Sequence, residues 1–186
     1  GQQLAVVDIP VPSTGQDLGA AYATYRSDTT SVAAQRAYFD AFPQDYATLR
    51  KEFGFEEVSE DSTSFGGFYE RGDEMIGAFF HLSAIPPADI ARKAVGIARK
   101  GVWQEDGVGY FQMFLARGFE KNPPIYLAAV GSLPGEEQAG FWSFYLDGPT
   151  AYPKEDASTT RRLLSANPRQ LALVDSLLAL PSKKEH

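Results

Sequence analysis

Along residues 103–148 the large apolar side chains recur at helical spacing. Phe111, Phe114, Leu115 and Phe119 are three or four residues apart, which gathers them on one helix face, and Gly118 beside them leaves room for a neighbouring helix to come close. Phe141, Trp142, Phe144 and Tyr145 wrap more than half of a later helix and leave it little surface for water. Asn122-Pro123-Pro124 and Leu133-Pro134 divide the stretch, so the pattern predicts three short helices. Burying a large apolar side chain stabilises by about 1.5–3 kcal/mol, which makes this block the expected centre of the core.

Upstream, Thr29, Thr30 or Ser31 can cap a helix carrying Ala34, Ala37, Tyr38 and Ala41. Pro43 reads as the first residue of the next helix, with Asp45 at its positive end, Tyr46, Leu49 and Phe53 on one face and Gly54 as the stop. The acid- and hydroxyl-rich stretch from Phe55 to Gly67 breaks the pattern and is expected to be an exposed loop, because such side chains compete with the backbone for hydrogen bonds. Asp73 then caps a helix bearing Met75, Ile76, Phe79, Phe80 and Ser83, closed by Ile85-Pro86-Pro87. The following helix, Pro87 to Lys100, turns Ile90, Ala94 and Ile97 inward. Its Arg92, Lys93, Arg99 and Lys100 form a basic set expected to pair with the acidic region before it. A loop is read over 147–156, Ser158 caps a helix to about Ala166, and Asn167-Pro168 opens a last helix with Leu171, Val174 and Leu178 inward before Pro181.

The expected fold is all-α, an irregular bundle of about seven to nine short helices. Residues 30–186 form a single helical domain behind an extended tail or linker over 1–29, where Pro10, Pro12, Gly15 and Gly19 sit among small and polar residues. Within that tail Leu4 to Val7 suit an extended segment, and a short helix around Leu18 to Tyr25 is the local alternative. A helical repeat array is the alternative architecture, since Pro43, Pro87, Pro124 and Pro168 recur at intervals near a two-helix repeat, but no residue signature repeats with them.

Charge changes the picture more than composition does. The 186 residues are 44% hydrophobic and 13% aromatic, values of a chain that buries a core. The net charge is −7, and residues 40–74, with ten acids against three bases, hold all of that imbalance. Such a surface repels nucleic acid and anionic membranes and attracts a basic protein, while the plainer reading is a solvated face that keeps the chain in solution. No run of apolar residues is long enough to span a bilayer. The chain starts at Gly1 with a linker-like stretch, so the expectation is an exported bacterial protein, periplasmic or secreted, with a cytoplasmic one as the alternative.

Candidate chemistry is sparse. Without cysteine there is no thiol nucleophile, disulfide or thiolate metal site. His81 is the only internal histidine and lacks a ligand partner at helical spacing, so it reads as a structural or surface residue. The doublets Glu105-Asp106 and Glu136-Glu137 lie near tryptophans, as the paired acids of a glycosidase would. Both also suit the first turn of a helix, where carboxylates meet free N–H groups, and that reading is preferred. Gly107-Val108-Gly109 is too short for a phosphate loop. No catalytic residue, cofactor or metal is assigned.

The leading expectation is therefore a soluble helical binding protein, with the profile of an exported inhibitor or immunity-type protein, whose acidic face of Asp61, Glu70, Asp73 and Glu74 meets a basic partner. The alternative is a small-molecule or glycan-binding protein or hydrolase with a cleft near Trp103, Tyr110 and Trp142. A structural or assembly domain is the third reading.

Overall fold

The computed structural model describes residues 15–148 and 157–180. Among these residues lie ten α-helices and one two-stranded hairpin. In chain order these are α1 (Gly15–Ser27), α2 (Val32–Ala41), α3 (Tyr46–Phe53), β1 (Phe55–Ser59), β2 (Ser62–Phe65), a single 3₁₀ turn at Tyr69–Arg71 and α4 (Gly72–Phe80). Then follow α5 (Pro87–Ala98), α6 (Gly107–Lys121), α7 (Pro123–Gly131), α8 (Gly135–Tyr145), α9 (Ala157–Leu163) and α10 (Pro168–Leu178). The protein is thus an all-α, multi-helix fold, and its helices, seven to fifteen residues long, show no repeating unit among the described residues.

Local chemistry accounts for most helix ends. Ser31 accepts from the Ala34 N–H at 3.1 Å, Asp45 from Thr48 at 2.8 Å and Asn167 from Gln170 at 3.3 Å, each satisfying a donor that has no partner inside its helix. Pro87, Pro123 and Pro168 open their helices, where a missing N–H costs nothing. Pro134 caps α8 from outside, and Pro43 lies buried two residues ahead of the cap of α3, so it does not begin that helix as its sequence position implied. Asp73 is likewise not the cap of α4; it stands in the first turn, and the helix ends at Phe80, so Ser83 is outside it. The inward faces of α5, α6 and α8 are those expected, with Ile90, Ala94, Ile97, Phe111, Leu115, Phe119, Phe141 and Trp142 all buried.

Two stretches depart from expectation. Residues 15–27 are a helix, the local alternative read around Leu18 to Tyr25, rather than part of an extended tail, with Leu18 and Tyr22 fully buried. Few apolar residues suffice there because α2 presents Tyr38, whose ring lies 5.2 Å from Tyr22 and is stacked on Tyr25 at 5.7 Å. The expected extended segment over Leu4 to Val7, most of the loop at 147–156 and the stop at Pro181 lie outside the described residues. The second departure is the stretch from Phe55 to Gly67, which forms an antiparallel hairpin instead of a loop. Phe55 pairs with Phe65, Glu56 with Ser64, Glu57 with Thr63 and Ser59 with Ser62, and the register shifts at Val58. Cross-strand Phe–Phe contact and a two-residue turn outweigh the polar composition.

Packing is centred on α6, which contacts α3, α4, α7 and α8, while α1 packs on α2, α5 on α7 and α8, and α10 on α8. Gly118 lets α7 lie across α6, since a Cβ there would overlap the Tyr126 hydroxyl and come within 2.9 Å of its Cζ. Trp142 meets Phe119, Phe141 and Tyr145 edge to face at 5.7, 4.9 and 5.2 Å. Its indole donates to Gln170 Oε1 at 2.7 Å, Gln170 donates to Gln138 Oε1 at 2.8 Å, and Gln138 donates to the Leu133 carbonyl at 2.8 Å.

Two stability outcomes follow. Gly118→Ala should cost about 1–3 kcal/mol by overpacking, with part of that recovered when Tyr126→Phe is added to remove the hydroxyl; urea unfolding of the single and double variants measures both. Gln170→Leu leaves the Trp142 N–H without its acceptor and should cost about 1–3 kcal/mol, read from the same titration.

Candidate functional site

The hairpin is held tightly at its root and exposed beyond it. Arg50 donates through Nε to the Phe55 carbonyl at 3.3 Å, and Gln104 both donates to that carbonyl at 2.9 Å and accepts from the Phe55 N–H at 3.3 Å. On the other strand the Gly66 N–H reaches the Gly54 carbonyl at 2.8 Å, and the Phe68 N–H reaches Glu52 at 2.9 Å. From that root the Glu60-Asp61 turn stands about 13 Å away at the usual rise of a strand. Val58 is 67% exposed and Phe65 56%, among the carboxylates of Glu56, Glu57, Glu60 and Asp61. Arg50 pairs with this group, 3.5 Å from Glu56.

Phe65 continues the surface toward the helices, because its ring lies 4.7 Å from Tyr69, which also meets Phe55 edge to face at 6.3 Å. The Tyr69 hydroxyl donates to the Asp106 carboxylate. That bond, followed by burial and by the charges of Asp106, Glu105 and Glu70, pushes the phenol up to about 12. Glu105-Asp106 therefore does not occupy the first turn of α6; it precedes the helix, with Asp106 at a φ of 61° and its carboxylate turned to Tyr69. Glu136-Glu137 is in the first turn of α8, and Glu137 pairs with Arg99, the residue that caps the end of α5, at 2.9 Å.

The four acids singled out from the sequence divide by role. Asp61 is at the hairpin tip, while Glu70, Asp73 and Glu74 stand together at the start of α4, and all four are exposed. Glu74 is already engaged. The Tyr22 hydroxyl donates to it at 2.6 Å and Arg71 pairs with it at 3.1 Å, with the Arg71 guanidinium over the Tyr22 ring at 5.2 Å. The hydrogen bonds from Tyr22 and Arg71 hold its carboxyl below the ordinary value of 4.5. Burial, then the bond to Glu74, pushes Tyr22 up to about 12. Asp73 accepts from the Glu74 N–H at 2.8 Å, a local bond that leaves its charge at the surface.

The three aromatics of the alternative cleft are not equivalent. Trp142 is 0% exposed and its N–H is committed to Gln170, so it offers no edge to a ligand. Trp103 is half-buried against the backbone of Gly148, where a Cβ would approach its ring to 2.9 Å. Tyr110 is 36% exposed beside Gly72, which places it with the acidic start of α4. His81 ends α4, with Nδ1 2.7 Å from the Gly77 carbonyl and its ring against Phe114. Among the described residues no group of three or more His, Asp or Glu is arranged to hold a metal ion, and no helix is long and apolar enough to cross a membrane.

A second surface went unread in the sequence. An open groove of about 590 Å³ runs between α2 and α5, lined by Arg36, Phe39 and Asp40 on one side and by Asp89, Arg92, Lys93 and Gly96 on the other, with Gln44 at one end. The basic residues on and just after α5 do not act as one face: Arg92 pairs with Asp89 of its own helix, Arg99 at the end of α5 reaches α8, and the Lys93 ammonium donates to the Phe39 carbonyl. The i, i+3, i+4, i+7 spacing of Asp89, Arg92, Lys93 and Gly96 was visible, but nothing local marked which helix would face it.

No family model, curated protein or solved structure matches this chain.

The Glu74 contacts carry a pH signature. With the folded carboxyl below its ordinary 4.5, the stabilisation is complete above that value and is lost as pH falls through the lower folded one. Glu74→Gln and Tyr22→Phe should both flatten the acid side of a urea-midpoint against pH curve.

Proposed function

We propose that this chain is a protein-binding module that presents an acidic, aromatic-centred face to a basic protein. The observation that carries the reading is the hairpin, pinned at its root yet exposing Val58 and Phe65 amid Glu56, Glu57, Glu60 and Asp61. Protein interfaces draw most of their affinity from a few apolar or aromatic anchors, while a rim of charge governs encounter rate and partner choice. Tyr69 and Tyr110 extend the anchors, and Glu70 and Asp73 extend the rim toward α4. Edge acids also keep the strands from pairing with one another between molecules, so one set of charges supports both solubility and selectivity.

The role we favour is that of an inhibitor- or immunity-type protein, in which the acidic face covers a basic surface of its partner. A periplasmic or secreted location belongs to the same proposal and is checked by where the protein fractionates in its native cell. Glu74 is left out of the contact set because Tyr22 and Arg71 already occupy its carboxylate.

Affinity capture from the native cell at low and high ionic strength tests the reading. The expected partner is basic and is lost at high salt. Phe65→Ala with Val58→Ala should weaken it by about 10- to 100-fold, the loss of one or two anchors. Asp61→Lys with Asp73→Lys should chiefly slow association. Circular dichroism of each variant checks that the hairpin, which Phe65 helps to hold through Phe55, is still formed; a partner indifferent to salt and to both pairs would sink the proposal.

A further inference from the structure

The groove between α2 and α5 is chemically unlike the hairpin face. It gathers three cations, Arg36, Arg92 and Lys93, against two carboxylates, Asp40 and Asp89, in a chain whose net charge is −7. The two arginines are each paired at the surface, Arg36 with Asp40 at 3.7 Å and Arg92 with Asp89. Lys93 differs from both. It is half-buried, its ammonium sits 4.7 Å from the centre of the Phe39 ring, and its hydrogen bond goes to the Phe39 backbone carbonyl rather than to a carboxylate. An ammonium has three donors, so two are left for whatever enters the groove. One helical turn on, Gly96 leaves the space open, since a Cβ there would meet nothing within 4 Å.

The surroundings of Lys93 also alter its chemistry. The charged groups that face it are Asp40 and Arg36 from α2 and Asp89 and Arg92 from its own helix. Burial outweighs the raising effect of Asp40, and Arg36 acts in the same direction as burial, so the amine is pulled down to about 8. A usable share is then neutral near neutral pH, the form that attacks carbonyl carbon. The guanidinium groups nearby supply planar donors suited to a carboxylate.

From this arrangement we propose that the α2–α5 groove binds a small anionic aldehyde or 2-oxo acid, its carboxylate held by Arg36 and Arg92 and its carbonyl carbon joined reversibly to Lys93 as an imine. The neutral amine's lone pair forms the carbon–nitrogen bond, the carbonyl oxygen leaves as water with the two amine hydrogens, and no oxidant or reductant is consumed. Uptake of one proton gives the iminium, which hydrolysis returns to free amine and carbonyl compound. This site stands apart from the hairpin reading and does not depend on it.

Reductive trapping of the full chain tests it, with glyoxylate as the anionic aldehyde, glycolaldehyde as the uncharged one and cyanoborohydride to fix the imine, followed by peptide mass mapping. Glyoxylate should label Lys93 about 10-fold faster than the exposed Lys51, Lys100 and Lys121, a difference of about 1.4 kcal/mol. In Arg36→Ala/Arg92→Ala the ratio of glyoxylate to glycolaldehyde labelling at Lys93 should fall about 10-fold, equivalent to about 1.4 kcal/mol, a comparison that cancels any change in the amine's own reactivity. Gly96→Leu, which fills open space without touching the core, should slow glyoxylate labelling at Lys93 only. Labelling spread evenly over the lysines, or a ratio unmoved by loss of the two arginines, would overturn the proposal.

Discussion

Trp142 is fully buried, and its indole N–H must find an acceptor where no water reaches. It finds Gln170, which is held in turn by Gln138, whose own amide is fixed on the turn before α8. This relay ties the last helix to the centre of the fold through polar contacts that tolerate little displacement, and the surrounding rings of Phe119, Phe141 and Tyr145 supply the apolar burial. A second glutamine repeats the device: Gln112 of α6 donates to the Phe144 and Asp147 carbonyls at 2.8 and 2.9 Å, binding the end of α8 to the central helix. A third, Gln35, donates to the Thr29 carbonyl and Ser83 and accepts from the Ala84 N–H, joining α2 to the turn after α4. In each case a buried amide bonds to groups of another segment and so ties two elements together.

That frame leaves two surfaces of opposite character. The hairpin is anchored by Gln104 and Arg50 at its base and is otherwise exposed, so its apolar side chains are presented at little conformational cost. In the groove of α2 and α5 the Phe39 ring meets both Arg36 and Lys93, and it is itself stacked on Phe79 of α4 at 5.9 Å. One surface combines carboxylates with exposed rings, the other cations with a half-buried ring. Both rest on contacts to the core, which makes the core's rigidity a condition of either proposed role.

Two acidic groups show why charge alone is a poor guide to role. Glu74 belongs by sequence to the acidic region, yet the Tyr22 hydroxyl and Arg71 hold it as a link between α1 and α4. Asp106 was readable as the negative residue at the start of a helix, but its carboxylate takes the Tyr69 hydroxyl instead. Each found a tyrosine more than thirty residues away, a separation no local pattern reports.

Residue spacing alone determined where most helices run, which faces of α5, α6 and α8 turn inward, that the cap of α2 lies among Thr29, Thr30 and Ser31, and that Asn167 caps, because these depend on neighbours within one or two helical turns. The pairing of Phe55 with Phe65 across a polar hairpin, the removal of Trp142 from any cleft and the assembly of the α2–α5 groove were decided only by tertiary structure. Tyr22 needs Tyr38, Trp142 needs Gln170, and Lys93 needs the Phe39 carbonyl. Such partners are set by how helices cross in space, and the free energy of a contact between distant segments leaves no periodic trace in either one.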